Sequence, residues 1–139
     1  MSTTAQNNQA TAADRVTAPI SPSQAINQGD LVKISSNLAV PISGATDTVF
    51  GMSDETNPTS SLLDTVSLIQ VVRPSRVTVF LILKNGDTAN FNDSLYLTGS
   101  TAQEVTTSSG GGATKVGACR ELSAFAGNGT SRLRVELGA

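Results

Sequence analysis

Closely spaced Gly, Asn and Pro residues divide the chain into short runs of strand-forming residues. These runs are too short to form long helices. The β-branched run 77–83 is followed by Asn85-Gly86, a pair that strongly favours a tight hairpin turn. Residues 132–137 alternate apolar and polar side chains, as a half-buried antiparallel strand does. We therefore predict an all-β fold, a small antiparallel β-barrel or sandwich of short strands.

The remaining predicted elements are equally short. Strands are expected at 31–34, 38–40, 49–50, 66–72, 95–97 and 104–106, and single helical turns at 58–63 and 122–125. Residues 108–112 are expected to form a flexible loop, because Ser and Gly dominate them.

Residues 1–18 differ in composition from the rest of the chain, because Ser, Thr, Ala, Gln and Asn dominate them. Ordering a backbone residue costs about 1–2 kcal/mol, and this stretch offers little apolar surface to bury in return. We predict a flexible N-terminal arm over residues 1–18, either a fraying terminus or a segment that orders on a partner, followed by a β-barrel domain over residues 19–139.

Two stretches of the chain resemble each other. Asp30 before one apolar run matches Asp93 before another, at an offset of 63 residues (93 minus 30), and Gly51 matches Gly117 at an offset of 66 (117 minus 51). Each glycine lies in a strand-like run, where glycine marks a bulge or a close approach of two backbones. We predict two similar units that face each other and close one small barrel, with the three extra residues in the loop 108–115.

The residues needed for common catalytic and metal sites are scarce. The chain has no histidine and one cysteine, Cys119, so triads that use histidine, zinc sites built from His and Cys, and intrachain disulfides are excluded. The adjacent carboxylates Asp54 and Glu55 would point to opposite faces of a strand. Gly110-Gly111-Gly112 lacks the spacing of a phosphate loop. We predict no enzyme activity, no catalytic, cofactor-binding or metal-binding residues, and no cofactor.

Charge is sparse, at 14% of residues, and the formal net charge is −2 without a basic block. Phosphate backbones and anionic membranes attract clustered Lys and Arg, so we predict neither a nucleic-acid nor a membrane partner. Residues 1–13 lack the positive and apolar regions of a secretory signal, which predicts synthesis in the cytoplasm.

Residues 77–83 carry apolar side chains on both faces of the predicted strand. A small barrel buries only one face of a strand, so Val77, Val79, Phe80 and Ile82 are candidates for the core or for contact with another subunit. Loops of the same chain could equally cover the second face.

The order of these motifs resembles that of phage head decoration (capsid cement) proteins, of the small β-barrel kind related to the lambda-type decoration protein. The resembling segments are Gly29-Asp30-Leu31-Val32-Lys33-Ile34, Leu38-Ala39-Val40-Pro41, Val49-Phe50-Gly51-Met52, Asp93-Ser94-Leu95-Tyr96-Leu97-Thr98 and Lys115-Val116-Gly117-Ala118. They are short, and the resemblance spans roughly residues 26–137.

This resemblance implies a homotrimer on the exterior of an icosahedral phage capsid. Such a protein would stabilise the expanded, DNA-filled head by clamping neighbouring major capsid subunits. It also implies that the N-terminal arm contacts the capsid, where Arg15, Val16 and Pro19 are the first charged or bulky candidates.

Two other classes of non-catalytic function are open to the sequence. One is another virion part, such as a head fibre base or a tail component, whose rings or tubes would be visible by microscopy. The other is a carbohydrate-binding module, for which a chain with no Trp, one Tyr and four Phe is poorly equipped.

Overall fold

The computed structural model describes residues 14–56 and 67–139, whose regular secondary structure is almost entirely β-strand. The strands are β1 (Arg15–Ile20), β2 (Leu31–Ser35), β3 (Leu38–Pro41), β4 (Gly51–Ser53), β5 (Ser67–Val72), β6 (Val77–Leu83), β7 (Thr88–Ala89), β8 (Ser94–Leu97), β9 (Glu104–Thr106), β10 (Lys115–Cys119), β11 (Phe125–Ala126) and β12 (Arg132–Leu137). A short 3₁₀ turn spans Gly110–Gly112. The all-β prediction is confirmed.

The strands form two main sheets that follow one another along the chain. The first has the order β1-β5-β4-β2-β3, and the second is a closed barrel of β10-β12-β6-β9-β8. Strands β7 and β11 form a separate two-stranded sheet. We call residues 14–56 and 67–73 the first unit and residues 77–139 the second unit.

The two units share one topology. Strands β6, β8, β9, β10 and β12 of the second unit correspond in order to β1, β2, β3, β4 and β5 of the first, and each of the four antiparallel pairings recurs. The barrel is closed by an additional parallel pairing of β6 with β9. The corresponding strands β1 and β3 lie close together, but no ladder joins them in the described residues.

The hydrogen bonds around Asp30 in the first unit recur around Asp93 in the second. The Asp30 carboxylate accepts from the Asn27 amide at 2.9 Å, and the Asp93 carboxylate accepts from the Asn90 amide at 2.7 Å. The carbonyl oxygens of the same two aspartates accept from the amides of Ser53 and Cys119, each at 2.8 Å. The predicted match of Asp30 with Asp93 is therefore structural.

Both matched glycines are required by a close approach of two backbones. A Cβ atom on Gly51 would overlap the carbonyl oxygen of Val72, and one on Gly117 would overlap the carbonyl oxygen of Glu136. A register irregularity between Lys115 and Gly117 also marks a bulge in β10. The prediction that these glycines mark a bulge or close contact is confirmed.

Two details of the predicted repeat are wrong. The two units do not combine into one barrel, because the second closes on itself and the first keeps its own sheet. The three extra residues lie between β8 and β9, since Ile34 pairs with Ala39 in the first unit and Leu97 with Val105 in the second. Residues 98–103 form this longer connection, where the first unit has the short turn at Ser36 and Asn37.

The boundary of the predicted arm also differs from the structure. Residues 15–18, assigned to the arm from composition, belong to β1, which pairs along its full length with β5. Ala18 and Ile20 are buried, and this burial offsets the cost of ordering the strand. Pro19 is tolerated because β1 is an edge strand. The part of the arm call that covers residues 1–13 lies outside the described residues.

The predicted helical turn at 122–125 is wrong. Residues 122–123 form a bend, and Phe125 is the first residue of β11, where it pairs with Ala89. Residues 58–63 lie outside the described part of the chain.

The buried side chains form two clusters. The smaller lies inside the first unit and contains Ala18, Ile20, Ile26, Val32, Ala39, Ile69 and Val71. The larger fills the barrel and also includes Leu31, Ile42, Met52 and Val72 of the first unit. The larger core is therefore built by both units together.

Candidate functional site

The first unit contributes one sheet face to the core of the second. Leu31, Met52 and Val72 alternate with the inward-facing Val32, Gly51 and Val71, so they point away from the first unit's own core. With Ile42 they form what we call the joint face, and all four side chains are buried in the larger core. The corresponding residues of the second unit are Ser94, Ser108, Ala118 and Glu136. The same face is thus apolar in one unit and largely polar in the other.

Backbone and side-chain hydrogen bonds fix the joint between the units. The Leu31 amide donates to the Ala102 carbonyl at 2.7 Å, and the Thr114 amide donates to the Ala45 carbonyl at 2.8 Å. The Gln103 amide group donates to the Asp30 carboxylate at 2.8 Å. The longer β8–β9 connection of the second unit therefore reaches the first unit and contacts it. The equivalent β2–β3 turn of the first unit is too short to make contacts of this kind.

A carboxylate stabilises the loop that reaches this joint. Asp47 accepts from the backbone amides of Ser43 and Gly44 at 3.0 and 2.9 Å and from the Lys33 ammonium at 2.9 Å. The Ser43 amide and then Lys33 are the main causes that lower the Asp47 pKa from 3.8 to about 2. The ionised carboxylate therefore holds the loop that carries Ala45.

Among the residues that the structure describes, none covers one end of the first unit's core. Val16 and Ile34 point inward, yet their exposed fractions are 38% and 43%. Phe50 is half-buried beside them in the smaller core, and the Arg73 guanidinium lies 4.1 Å from the centroid of its ring. We call Val16, Ile34, Phe50 and Arg73 the open end.

The corresponding end of the barrel is closed. Val79, Leu97, Val116 and Leu137 correspond to the four residues of the open end, and all of them are buried. They belong to the core that the joint face enters. Relative to the second unit, the first unit therefore lacks the apolar cover that the joint face provides.

The four residues predicted for the core or a subunit contact divide between the two faces of β6. Val77 and Val79 point into the barrel and are buried. Phe80 and Ile82 lie on the outer face and are only partly buried. Phe80 pairs with Arg134 and Ile82 with Arg132 on β12, so this outer face combines apolar and cationic side chains.

The three predicted arm residues lie on β1. Arg15 donates to the Asp54 carboxylate at 2.7 Å, Val16 lies at the open end, and Pro19 stands opposite Leu68 of β5. Leu68 has an exposed fraction of 62%. The structure therefore brings Val16 together with the open end and places Pro19 on the opposite face of the strand.

The joint face is not among the sequence-based predictions, although the sequence contains a signal for it. Leu31-Val32 and Val71-Val72 are adjacent apolar pairs on short strands, and adjacent side chains point to opposite faces. Both faces of the first unit's sheet therefore need cover. The corresponding pairs Ser94-Leu95 and Val135-Glu136 alternate, as expected for a sheet with one covered face.

The adjacent carboxylates and the single cysteine, which are the side chains considered for chemistry, have structural surroundings rather than those of a reactive site. Glu55 accepts from the Gln70 amide at 3.0 Å, so the adjacent carboxylates Asp54 and Glu55 bond different elements. Burial raises the pKa of the Cys119 thiol, which keeps it in the unreactive protonated form. Within residues 14–56 and 67–139, no group of three His, Cys, Asp or Glu side chains could hold a metal ion.

A shallow polar pocket of about 190 Å³ opens where the joint meets the barrel. Its lining includes Ala45, Lys84, Thr98, Thr106 and Ser108. It is smaller than the clefts of ~300–1,000 Å³ that usually hold small ligands.

Comparison with known proteins gives no match for this chain, either among protein-family models or among curated proteins. Within the described ranges, no helix has the length and hydropathy needed to span a membrane.

Proposed function

We propose that this protein is a structural virion protein that binds the outside of an icosahedral phage capsid. As a homotrimer, it would clamp neighbouring major capsid subunits and stabilise the expanded, DNA-filled head. The observation that carries the proposal is the position of the segments that resemble decoration proteins. They make the turn and the strands β2–β4 of one unit and recur, in large part, in β8–β10 of the other.

The surface supports a role in protein contact. Charged residues make up only 14% of the chain, and the open end exposes apolar side chains beside an arginine. Phe and Arg are enriched in the centres of protein interfaces. Phe80 and Ile82, on the outer face of β6, are the residues that we propose for contact between the copies of a trimer.

The proposed stabilisation follows from binding linkage. A ligand that binds the expanded shell and not the separated subunits stabilises the shell by about 2.7 kcal/mol per site at a free concentration of a hundred times Kd. A trimer that contacts several capsid subunits at once would gain further from multivalency.

The test is sedimentation of the purified full-length chain with expanded, undecorated phage capsids, with unexpanded shells as the control. We expect the chain to sediment with the expanded shells at a saturating stoichiometry and to raise the temperature at which they open. The solution mass of the free protein gives its oligomeric state. Failure to sediment with any expanded shell tested, with the protein folded, would contradict the proposal.

The contribution of the N-terminal segment needs a truncation that ends before β1. We propose that residues 1–13 contact the capsid together with Arg15, Val16 and Pro19. A chain lacking residues 1–13 keeps all of β1 and should bind expanded capsids more weakly. Removing residues 1–18 would delete most of β1 with its buried Ala18, so loss of binding by that variant would not separate contact from folding. Unchanged binding after removal of residues 1–13 would refute the contribution of this segment.

A further inference from the structure

We propose that the open end of the first unit is a docking site for an apolar β-sheet face of another protein. The chain itself contains the template for this contact, because the equivalent end of the second unit already receives such a face. There the joint face, Leu31, Ile42, Met52 and Val72, enters the core that contains Val79, Leu97 and Val116. The occupant of the open end should therefore present Leu-, Ile-, Met- or Val-like side chains from a sheet.

The composition of the open end fits a contact that forms after folding. Its centre, Val16, Ile34 and Phe50, is apolar, but Arg73 stands where the barrel has Leu137 and lies over the Phe50 ring. A guanidinium on an aromatic face protects the ring while it remains solvated on its outer side. A docking partner could keep this stacking and cover the exposed parts of Val16 and Ile34.

A second copy of the chain does not offer the required face. The surface that would stack on the open end, if the head-to-tail arrangement of the two units continued, carries Ser94, Ser108 and Glu136. Glu136 accepts from Arg120 at 2.9 Å, so this face is polar and already engaged. Burying these groups against Ile34 without partners would cost free energy. The head-to-tail arrangement of the units therefore does not continue into a chain of copies, and the proposed occupant of the open end is a different protein.

Residues 1–13 are also a poor source of such a face. Met1 is their only large apolar side chain, and the others are small or polar. Under the proposed function, the protein that supplies the face would be the major capsid protein. That identification rests on the proposed function, whereas the ability of the open end to accept an apolar face does not.

The first experiment tests this ability with the protein itself as the probe. The variant Ser94→Leu/Ser108→Ile/Glu136→Val gives the second unit three side chains of the joint face. A heterologous contact that does not close generates open chains of copies, so we expect self-association that grows with concentration in sedimentation velocity. Adding Ile34→Asp should restore the sedimentation of the unmodified protein. The variant Ser94→Leu/Ser108→Ile, which leaves the Glu136 ion pair in place, serves if the triple change does not fold.

Two outcomes of the first experiment would overturn the proposal. One is a folded graft variant that sediments like the unmodified protein. The other is association that persists unchanged with Ile34→Asp, since that association would not use the open end.

The isolated Ile34→Asp variant distinguishes the other possible occupants. We expect it to melt close to the unmodified protein, because Ile34 is substantially exposed. A large fall in its melting temperature would mean that residues of the same chain occupy the open end. Loss of the natural oligomeric state in this variant would instead identify a second copy as the occupant. Either result would overturn the proposal.

The second experiment asks whether the capsid protein is the partner. Expanded capsids are titrated with the unmodified chain, Ile34→Asp and the matched control Leu68→Asp, which changes an exposed apolar residue of the opposite sheet face. An unpaired carboxylate buried in the contact should weaken binding roughly 30-fold for Ile34→Asp and leave Leu68→Asp near the unmodified value. Equal binding by all three would overturn the proposal for the capsid contact. If the unmodified chain does not bind, the proposed function fails, and the grafting experiment still decides whether the open end accepts an apolar face.

Discussion

The substitution Met52→Ala tests whether the two units share one hydrophobic core. Met52 belongs to the first unit but is buried in the core of the second, and Ala118 occupies the corresponding position there. Met52→Ala removes three side-chain heavy atoms. At ~0.8 kcal/mol for each buried methylene-sized group the transfer loss is about 2.4 kcal/mol, and a residual cavity brings the total to about 3 kcal/mol, within the usual range for Met→Ala.

Urea unfolding followed by circular dichroism measures this change. With an m-value of ~2 kcal/mol/M, the midpoint should fall by roughly 1.5 M, in a single transition that includes the barrel strands. The control Leu68→Ala, at a side chain that is 62% exposed, should change the free energy of unfolding by less than ~0.5 kcal/mol. A Met52→Ala variant as stable as this control, or one whose barrel unfolds in a separate, unshifted transition, would refute the shared core.

Two further predictions concern the repeat and the joint. Gly117→Ala should destabilise the protein by about 2–3 kcal/mol or more, because its methyl group would overlap the Glu136 carbonyl. The control Gly110→Ala would make only an ordinary contact, 3.4 Å from the Ser108 hydroxyl oxygen, so equal urea midpoints for the two variants would contradict the close approach. The Asp47 pKa is lowered in the folded state, so its contribution to stability is present above pH ~4 and is lost as the pH falls towards 2. Between pH 5 and 2, the melting temperature of Asp47→Asn should therefore fall less than that of the unmodified protein. Parallel plots of melting temperature against pH for the two proteins would show that the carboxylate does not stabilise its loop.

Local signals accounted for much of the fold. The β-branched run of β6 and the alternation of β12 predict these strands with the bounds that they have, and the matched Asp and Gly residues predict the repeated unit. Strand β1 escaped prediction because Pro19 and the polar residues around it obscure the alternation of Val16, Ala18 and Ile20.

The arrangement of the units depended on contacts that no short window of sequence contains. Two similar units can face each other or follow each other head to tail, and hairpin signals do not distinguish these arrangements. The joint face determines which arrangement forms, because its adjacent apolar pairs require burial on both sides of one sheet. The exposure of Val16 and Ile34 follows from the same arrangement, since an end is open only relative to what packs on its counterpart.

The most direct test of this account compares thiol access at two equivalent positions, one at the open end and one at the covered end. In a Cys119→Ala background, Val16→Cys and Val79→Cys are reacted with a soluble thiol reagent under native conditions. We expect the thiol at position 16 to react like an exposed cysteine, and the thiol at position 79 to react only when the barrel opens, slower by roughly a hundredfold or more. Similar rates at the two positions would contradict the claim that the first unit covers the second and leaves its own end open.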